Sequence, residues 1–392
     1  MNPIALGIDI FRDSRWKKHK GSRLGLLSNQ ASVDSSLHSS CDVIEKVLPG
    51  HLKALFGPQH GYQGEDQDNM VETGHGWHSG LGIPVYSLYA EKREPLPEML
   101  ESLDVLIVDL QDVGTRVYTF VSTLLNCMRA LSGSSRRVIV LDRPNPIGGE
   151  AVEGNLLREG LFSFVGPYRL PMRHGMTLGE ISLLLKEAFQ LDLDLEVIAM
   201  RGWERRMHWP DIGLAWVMPS PNMPVYDTAL VYPGQVLWEG TNVSEGRGTC
   251  RPFEIFGAPY MDPGKVLEAL PEEALAGVYM RPYSFKPTFH KWEGLVCKGF
   301  MIHVKDKSVF QPYFLSVCLL SAVLSEHRDA FEWRRDPYEY EYDKPAIDLI
   351  LGDRDMRRSL EQGAVPGGLR DNWRREEAEF RGTREPYLLY HS

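Results

Sequence analysis

Carboxylates, carboxamides, arginines and histidines gather in short clusters along this chain. The densest is Leu55–His75, LFGPQHGYQGEDQDNMVETGH, where Gln59, His60, Glu65, Asp66, Asp68 and Glu72 follow directly on an apolar run. QDVGTRVYT carries Gln111, Asp112, Arg116 and Tyr118, and DRPNPIGG carries Asp142, Arg143 and Asn145. Further along stand His174, Asn222 in PSPNMP, and Glu239, Asn242 and Arg247 in WEGTNVSEGRGT. Paired carboxyls beside amide and aromatic side chains suit carbohydrate chemistry. One carboxyl protonates the leaving oxygen while the other acts as base or nucleophile. Each residue also has a structural reading. Asp142 can cap a turn, His60 can be a packed loop histidine, and Glu180 completes a T-x-x-E capping box with Thr177.

What gives these clusters weight is where they fall. RLGLLS, HLKALF, IPVYSLY, DVLIVDL and RVIVLD are continuous apolar runs, the signature of strands buried on both faces. Helix patterns alternate with them, at about 36–47, 97–102 and 118–131, and a capped helix starts near Leu178. That order predicts an α/β fold with a parallel sheet layered by helices. Parallel sheets bind ligands at the carboxyl ends of their strands. Asn29, Gln30, Gln59, His60, Gln111, Asp112, Arg116, Tyr118, Asp142, Arg143 and Asn145 all follow predicted strands, so they are expected on one rim. From Trp203 to about Pro263 the chain is rich in Pro, Gly, Asn and Trp and reads as a long functional loop. A helix, a strand pair (YSFKPTFHKWEG, CKGFMIHVKD), a helix over 312–327 and a charged, Tyr-rich tail complete a smaller α+β region. Two domains suit 392 residues.

Several function classes are excluded. The formal net charge of −10 argues against a nucleic-acid partner. No apolar run is long enough to cross a membrane, and no signal-type apolar segment follows the N-terminus. Five cysteines without a CxxC spacing fit a reducing compartment, so a cytoplasmic protein is expected and the Asn242 sequon carries no glycan. The chain lacks G-x-S-x-G, a P-loop, H-E-x-x-H and a G-x-G-x-x-G after the first strand. No cofactor and no dedicated metal site are expected, although the acidic loop has hard oxygen ligands.

Seven motifs then appear in order: GPQHG, DLQDVGTRVYT, LDRPNPIGG, HGMTLGE, PSPNMP, YPG and WEGTNVSEGRGTCRPFE. From about Gly7 to the C-terminal YLLY the chain resembles the DUF1343 (YbbC-like) family, associated with NamZ-type exo-β-N-acetylmuramidases. The resemblance implies a Rossmann-like N-terminal domain, taken as 1–235, and a smaller C-terminal domain, 236–392, with the site in the cleft between. It also implies release of N-acetylmuramic acid from non-reducing ends of peptidoglycan fragments. The partner is then a small amino sugar or muropeptide. Oligomeric state is not legible.

One departure stands out. Family members resemble P-E-H-G where this chain has Pro58-Gln59-His60-Gly61, and an amide cannot ionise or donate a carboxyl proton. Three readings follow. The catalytic carboxyl has moved into the acidic loop, at Glu65, Asp66 or Glu72. It lies at Glu239, with Asp112 a further candidate and Gln59 binding substrate. Or the protein binds the sugar without cleaving it. The reading taken is an active glycosidase; the alternatives are a non-catalytic muropeptide-binding protein and a different carbohydrate-active enzyme on the same scaffold. Arg116 and Arg247 have the bidentate geometry to hold the lactyl carboxylate of muramic acid. His60, Tyr118, Asp142, Asn145, His174, Asn222 and Asn242 complete the expected substrate contacts.

Overall fold

The computed structural model describes residues 4–67 and 71–391. Its larger sheet has seven strands: β1 Leu24–Ser28, β2 Leu52–Gly57, β3 Gly76–His78, β4 Ile83–Ser87, β5 Val105–Asp109, β6 Arg137–Leu141 and β7 Asp194–Ile198, in the spatial order β3-β4-β2-β1-β5-β6-β7. All pairs are parallel except β3 with β4. Without the short edge strand β3, this is the doubly wound order of a Rossmann sheet, reversing direction between β1 and β5. The apolar runs form its central strands: β1 and β5 are buried throughout. The helix Phe120–Leu131 covers one face, and Thr177 with Glu180 forms the expected capping box of the helix Leu178–Ala188.

The smaller sheet is antiparallel, in the order β8 (Ile255–Ala258), β10 (Cys297–Val304), β9 (Val278–Phe285). Helix Pro312–Glu326 packs behind it and is almost wholly buried. The CKGFMIHVKD strand and the helix expected over 312–327 are present, but of YSFKPTFHKWEG only Tyr283–Phe285 is strand, the end of β9, and the rest is loop. The region from Trp203 to Pro263 departs from the expected long loop. It contains the helix Tyr226–Gln235, a 3-10 turn at Val236–Gly240 and strand β8. Its Pro and Gly residues serve packing. Gly234 lies against the Pro312 carbonyl, so closely that a Cβ would overlap it. Gly allows a close helix–helix approach there, and the pattern rules read it as a helix breaker.

One hydrophobic core runs through both sheets, from Leu124 and Val140 to Trp238, Phe256, Phe300 and Leu319. Two buried arginines tie the halves together. The Arg116 guanidinium donates to the carbonyls of Asn155, Leu170, Ile350 and Leu351 at 2.8–3.0 Å. Arg384, at the end of helix Pro366–Arg384, donates to those of Gly149, Glu150, His174 and Gly175 at 2.7–3.1 Å. Gly352 (φ +73°) and Gly175 (φ +61°) leave the space, since a Cβ on either would meet the guanidinium. Arg116→Met would strip four buried carbonyls of their donor at about 1–3 kcal/mol each before water enters. We therefore expect it to lower stability by roughly 3 kcal/mol or more, read as a clear drop in the urea midpoint. An unchanged midpoint would show that the clasp contributes nothing.

Candidate active site

The crevice between β1 and β5, where a Rossmann sheet usually receives its ligand, is filled by the protein itself. Asp109 at the end of β5 pairs with Arg143 at 2.5 Å and accepts from Ser40. Asn29 donates to the Pro219 carbonyl at 2.9 Å, closing the gap with the 218–220 segment. The polar pocket lies to one side, over the ends of β2 and β5, and is closed by the C-terminal part. Its open interior is small, about 40 Å³.

Each wall comes from a different element. Gln59 and His60 follow β2, and Tyr118, Thr119 and Phe120 open the helix after β5. Ser220 and Asn222 come from the loop before helix Tyr226–Gln235, and Tyr232 from that helix. Glu239, Arg247 and Phe253 come from the segment before β8, and Tyr338 and Glu339 from the loop between helices Pro312–Glu326 and Ala346–Leu351. His60, Phe253 and Glu339 have φ of +73°, +63° and +46°, and Tyr340 beside them +66°. Left-handed backbone at non-glycine residues costs of order 1–3 kcal/mol each, and such strain gathers at functional sites.

Two buried carboxyls face the pocket. Glu239 accepts from Arg247 at 2.7 Å and from the Tyr338 hydroxyl at 2.5 Å. Arg247 also meets Glu245 at 3.2 Å, and Lys291 meets Glu245 at 2.8 Å. Burial opposes the Arg247 charge, but Glu239 and Glu245 hold its pKa above the ordinary value. Among the described residues Glu339 has no such cation in contact. It accepts from Gln59 Nε2 at 3.0 Å and from the Tyr89 hydroxyl at 2.6 Å. Burial, reinforced by the charge of Glu239, raises its pKa despite those bonds and the more distant Arg247. Such unequal environments are how two carboxyls take opposite roles.

Of the expected site residues, the structure brings Gln59, His60, Tyr118, Asn222, Glu239 and Arg247 into this pocket. The others lie elsewhere. Arg116 is the carbonyl clasp, and Asp142 accepts from Thr177, Gly179 and Tyr390 at the capped helix. Asn145 bridges Met176 and Ile147. Asn242 binds Ala330 and Tyr260. His174 is buried, accepts from the Met176 N–H, and is pushed down to about 3 by burial and three arginines. Asp112 sits beside Tyr118 beneath the pocket wall and is pushed up to about 7 by burial, while accepting from the Gly114 N–H.

Glu65 is exposed, and so is Glu72, which meets Arg93 at 3.7 Å. Asp68 lies outside the described residues. The acidic loop still touches the site, because Asn222 donates to the Gln67 carbonyl and His60 Nδ1 to the Asp66 carbonyl. Sequence reasoning missed Tyr338 and Glu339. They sit in YEYEYDK, read as a charged tail, and only the alternation of aromatic and acid hinted at a buried role.

A larger cleft, about 370 Å³, lies at Gly148–Glu153 against the C-terminal helix. It is lined by Arg173, Arg205, Arg370, Arg374 and Arg381, and neither Glu239 nor Glu339 reaches it.

Comparison with known proteins fits this geometry. Residues 24–227 match the family model described as exo-β-N-acetylmuramidase NamZ, N-terminal, and residues 230–390 its C-terminal counterpart. The chain belongs to the NamZ family. It is 38% identical over 387 residues to the peptidoglycan β-N-acetylmuramidase NamZ of Bacillus subtilis strain 168, covering 99% of this chain and 91% of that one. Two crystal structures of DUF1343 family proteins from Bacteroides fragilis match over the full length of both chains. Their TM-scores are 0.88 and 0.77, at 32% and 25% identity. The doubly wound sheet with a smaller appended sheet is thus the architecture that family membership implies.

Exposure of the loop carboxyls generates a prediction. Glu65→Gln and Glu72→Gln should each leave turnover of a muramide substrate within about threefold, since surface changes away from a site are usually small. A loss of a hundredfold in either, measured as kcat, would return the acidic loop to the chemistry.

Proposed function

We propose that this protein is an exo-acting β-N-acetylmuramidase that releases N-acetylmuramic acid from the non-reducing ends of peptidoglycan fragments. The observation that carries the reading is the pairing of Glu239 with Arg247 inside a closed, amide- and aromatic-lined pocket, in a chain of the NamZ family. Tyr118, Tyr232 and Phe253 supply faces for a sugar ring, and Asn222, Ser220 and Thr119 supply groups for its hydroxyl and acetamido substituents. Glu239 is the carboxylate that attacks C1 or takes the proton of the attacking water.

Arg247 is also placed to read the lactyl carboxylate. Its Nη2 and Nε are held by Glu239 and Glu245, while its buried Nη1 has no hydrogen-bond partner among the described residues. A buried guanidinium N–H left open is a ready donor to an anion. The reading divides the chain into residues 1–235 and 236–392, meeting at this pocket. The unpaired thiols of Cys41, Cys127, Cys297 and Cys318 are buried, which suits a cytoplasmic enzyme acting on imported fragments. Among the described residues no helix is long and apolar enough to cross a membrane.

Purified protein should hydrolyse a chromogenic β-N-acetylmuramide and discriminate against the matching glucosaminide, which lacks the lactyl group. Glu239→Gln should lower kcat by about 100- to 10,000-fold, the usual worth of a positioned proton-transfer group, with the fold intact. If neither glycoside is cleaved while N-acetylmuramic acid still binds, the protein is a sugar-binding member of the family.

A further inference from the structure

Gln59 stands where the family resemblance leads one to expect a glutamate, yet the corner of the pocket it occupies does not lack a carboxyl. Glu339 Oε1 lies 3.0 Å from Gln59 Nε2. We propose that Glu339, reaching over from the loop between helices Pro312–Glu326 and Ala346–Leu351, is the proton donor of the glycosidase reaction, and that Gln59 is the positioning residue that aims it. This rests on the hydrolase reading above and adds to it the identity and origin of the acid.

Four observations support it. The orientation of the Gln59 amide is held from behind: Thr119 donates to its Oε1 at 2.6 Å, which turns Nε2 toward Glu339 and toward Tyr89 at 3.2 Å. A carboxylate at position 59 would instead face Glu339 across one hydrogen bond, and two carboxyls that close cannot both ionise. An amide at 59 and a carboxyl at 339 therefore form one compatible unit.

Second, Tyr338, Glu339 and Tyr340 are each committed. Tyr338 bonds Glu239, Glu339 bonds Gln59 and Tyr89, and Tyr340 lies under the guanidinium of Arg93. The left-handed backbone at Glu339 and Tyr340 is sustained by those contacts. Third, the two pocket carboxyls are matched unequally: Glu239 has Arg247 at 2.7 Å, whereas buried Glu339 has, among the described residues, only the neutral donors Gln59 and Tyr89 in contact. Fourth, burial and the neighbouring Glu239 favour the protonated form of Glu339, the state an acid needs.

In the step this implies, the electron pair of the breaking C1–O bond passes to the glycosidic oxygen. That oxygen takes the Glu339 proton and leaves as an alcohol. The oxygen of a water ends on C1 of the released sugar, and a proton of that water restores Glu339. No further reactant is needed.

The test compares wild type, Glu339→Gln, Glu339→Asp and the exchange variant Gln59→Glu/Glu339→Gln. The substrates are two β-N-acetylmuramides: a dinitrophenyl glycoside, whose leaving group departs without a proton, and the β-linked disaccharide with N-acetylglucosamine. Glu339→Gln should lose about 100-fold or more on the disaccharide and far less on the dinitrophenyl glycoside. The alkaline fall of kcat/KM, where wild-type Glu339 deprotonates, should vanish with it. The exchange variant, which returns a carboxyl to the same corner, should recover at least tenfold over Glu339→Gln on the disaccharide, and Glu339→Asp should fall between wild type and Gln.

Equal losses on both substrates, or none, in a folded variant that still binds the sugar would overturn the proton-donor role. Should Glu339→Gln fail to fold, the leaving-group dependence and alkaline limb of Glu339→Asp decide in its place. Failure of wild type on both substrates would instead overturn the hydrolase reading, and the acid assignment with it.

Discussion

Two buried guanidiniums, each surrounded by four backbone carbonyls, hold this molecule in its working shape. Arg116 leaves the strand β5 loop and closes on the end of helix Ala346–Leu351; Arg384 leaves the last long helix and closes on the loops after β6. A cation out of water is costly unless its donors are matched, and unmatched buried carbonyls are costly in turn. The docked arrangement satisfies both sets. Undocking the C-terminal part would expose not only apolar surface but six carbonyls whose donor had gone, those of Ile350 and Leu351 left by Arg116 and those of Gly149, Glu150, His174 and Gly175 left by Arg384. The position of Glu239 and Glu339 over the ends of β2 and β5 follows from that docking.

A second set of internal bonds explains why a Rossmann sheet here need not take a dinucleotide. The crevice at the reversal of strand order holds Asp109, Arg143, Ser32 and Ser40 in one another's bonds, and the 218–220 segment lies over it. The ligand space has shifted sideways to where the appended region can supply the opposite wall. One half brings amides and hydroxyls, and the other brings the ion-paired carboxylate of Glu239 and the carboxyl of Glu339. The chemistry we assign needs both walls, so it depends on the junction.

Local rules made much of this legible. Continuous apolar runs named the central strands because strands covered on both faces leave no polar alternation, and the T-x-x-E signature located the helix at Leu178. Polar clusters after those runs pointed to the rim where this pocket lies, since the ends of parallel strands lie side by side. Which residues of each cluster face the pocket was less legible. Arg116 and Tyr118 are two residues apart, but one points into carbonyls and the other into the site. Asp142 and Asn145 turned inward to bind backbone and hydroxyl groups.

Glu339 was beyond those rules for a different reason. Its neighbours alternate aromatic and acid, its backbone is left-handed, and its partner Gln59 lies 280 positions earlier. Long-range pairing of that kind leaves no periodicity to read. The amide at position 59 looked like a loss in the chain alone; beside Glu339 it is one half of a pair.

The most direct test is a crystal structure of the Glu239→Gln variant with an uncleaved β-N-acetylmuramide disaccharide. The account predicts the muramoyl ring between Tyr118 and Phe253, the lactyl carboxylate on Arg247 Nη1, C1 facing residue 239 and the glycosidic oxygen within hydrogen-bond reach of Glu339. A sugar seated in the arginine-lined cleft at Gly148–Glu153, or one whose glycosidic oxygen faces away from Glu339, would contradict it.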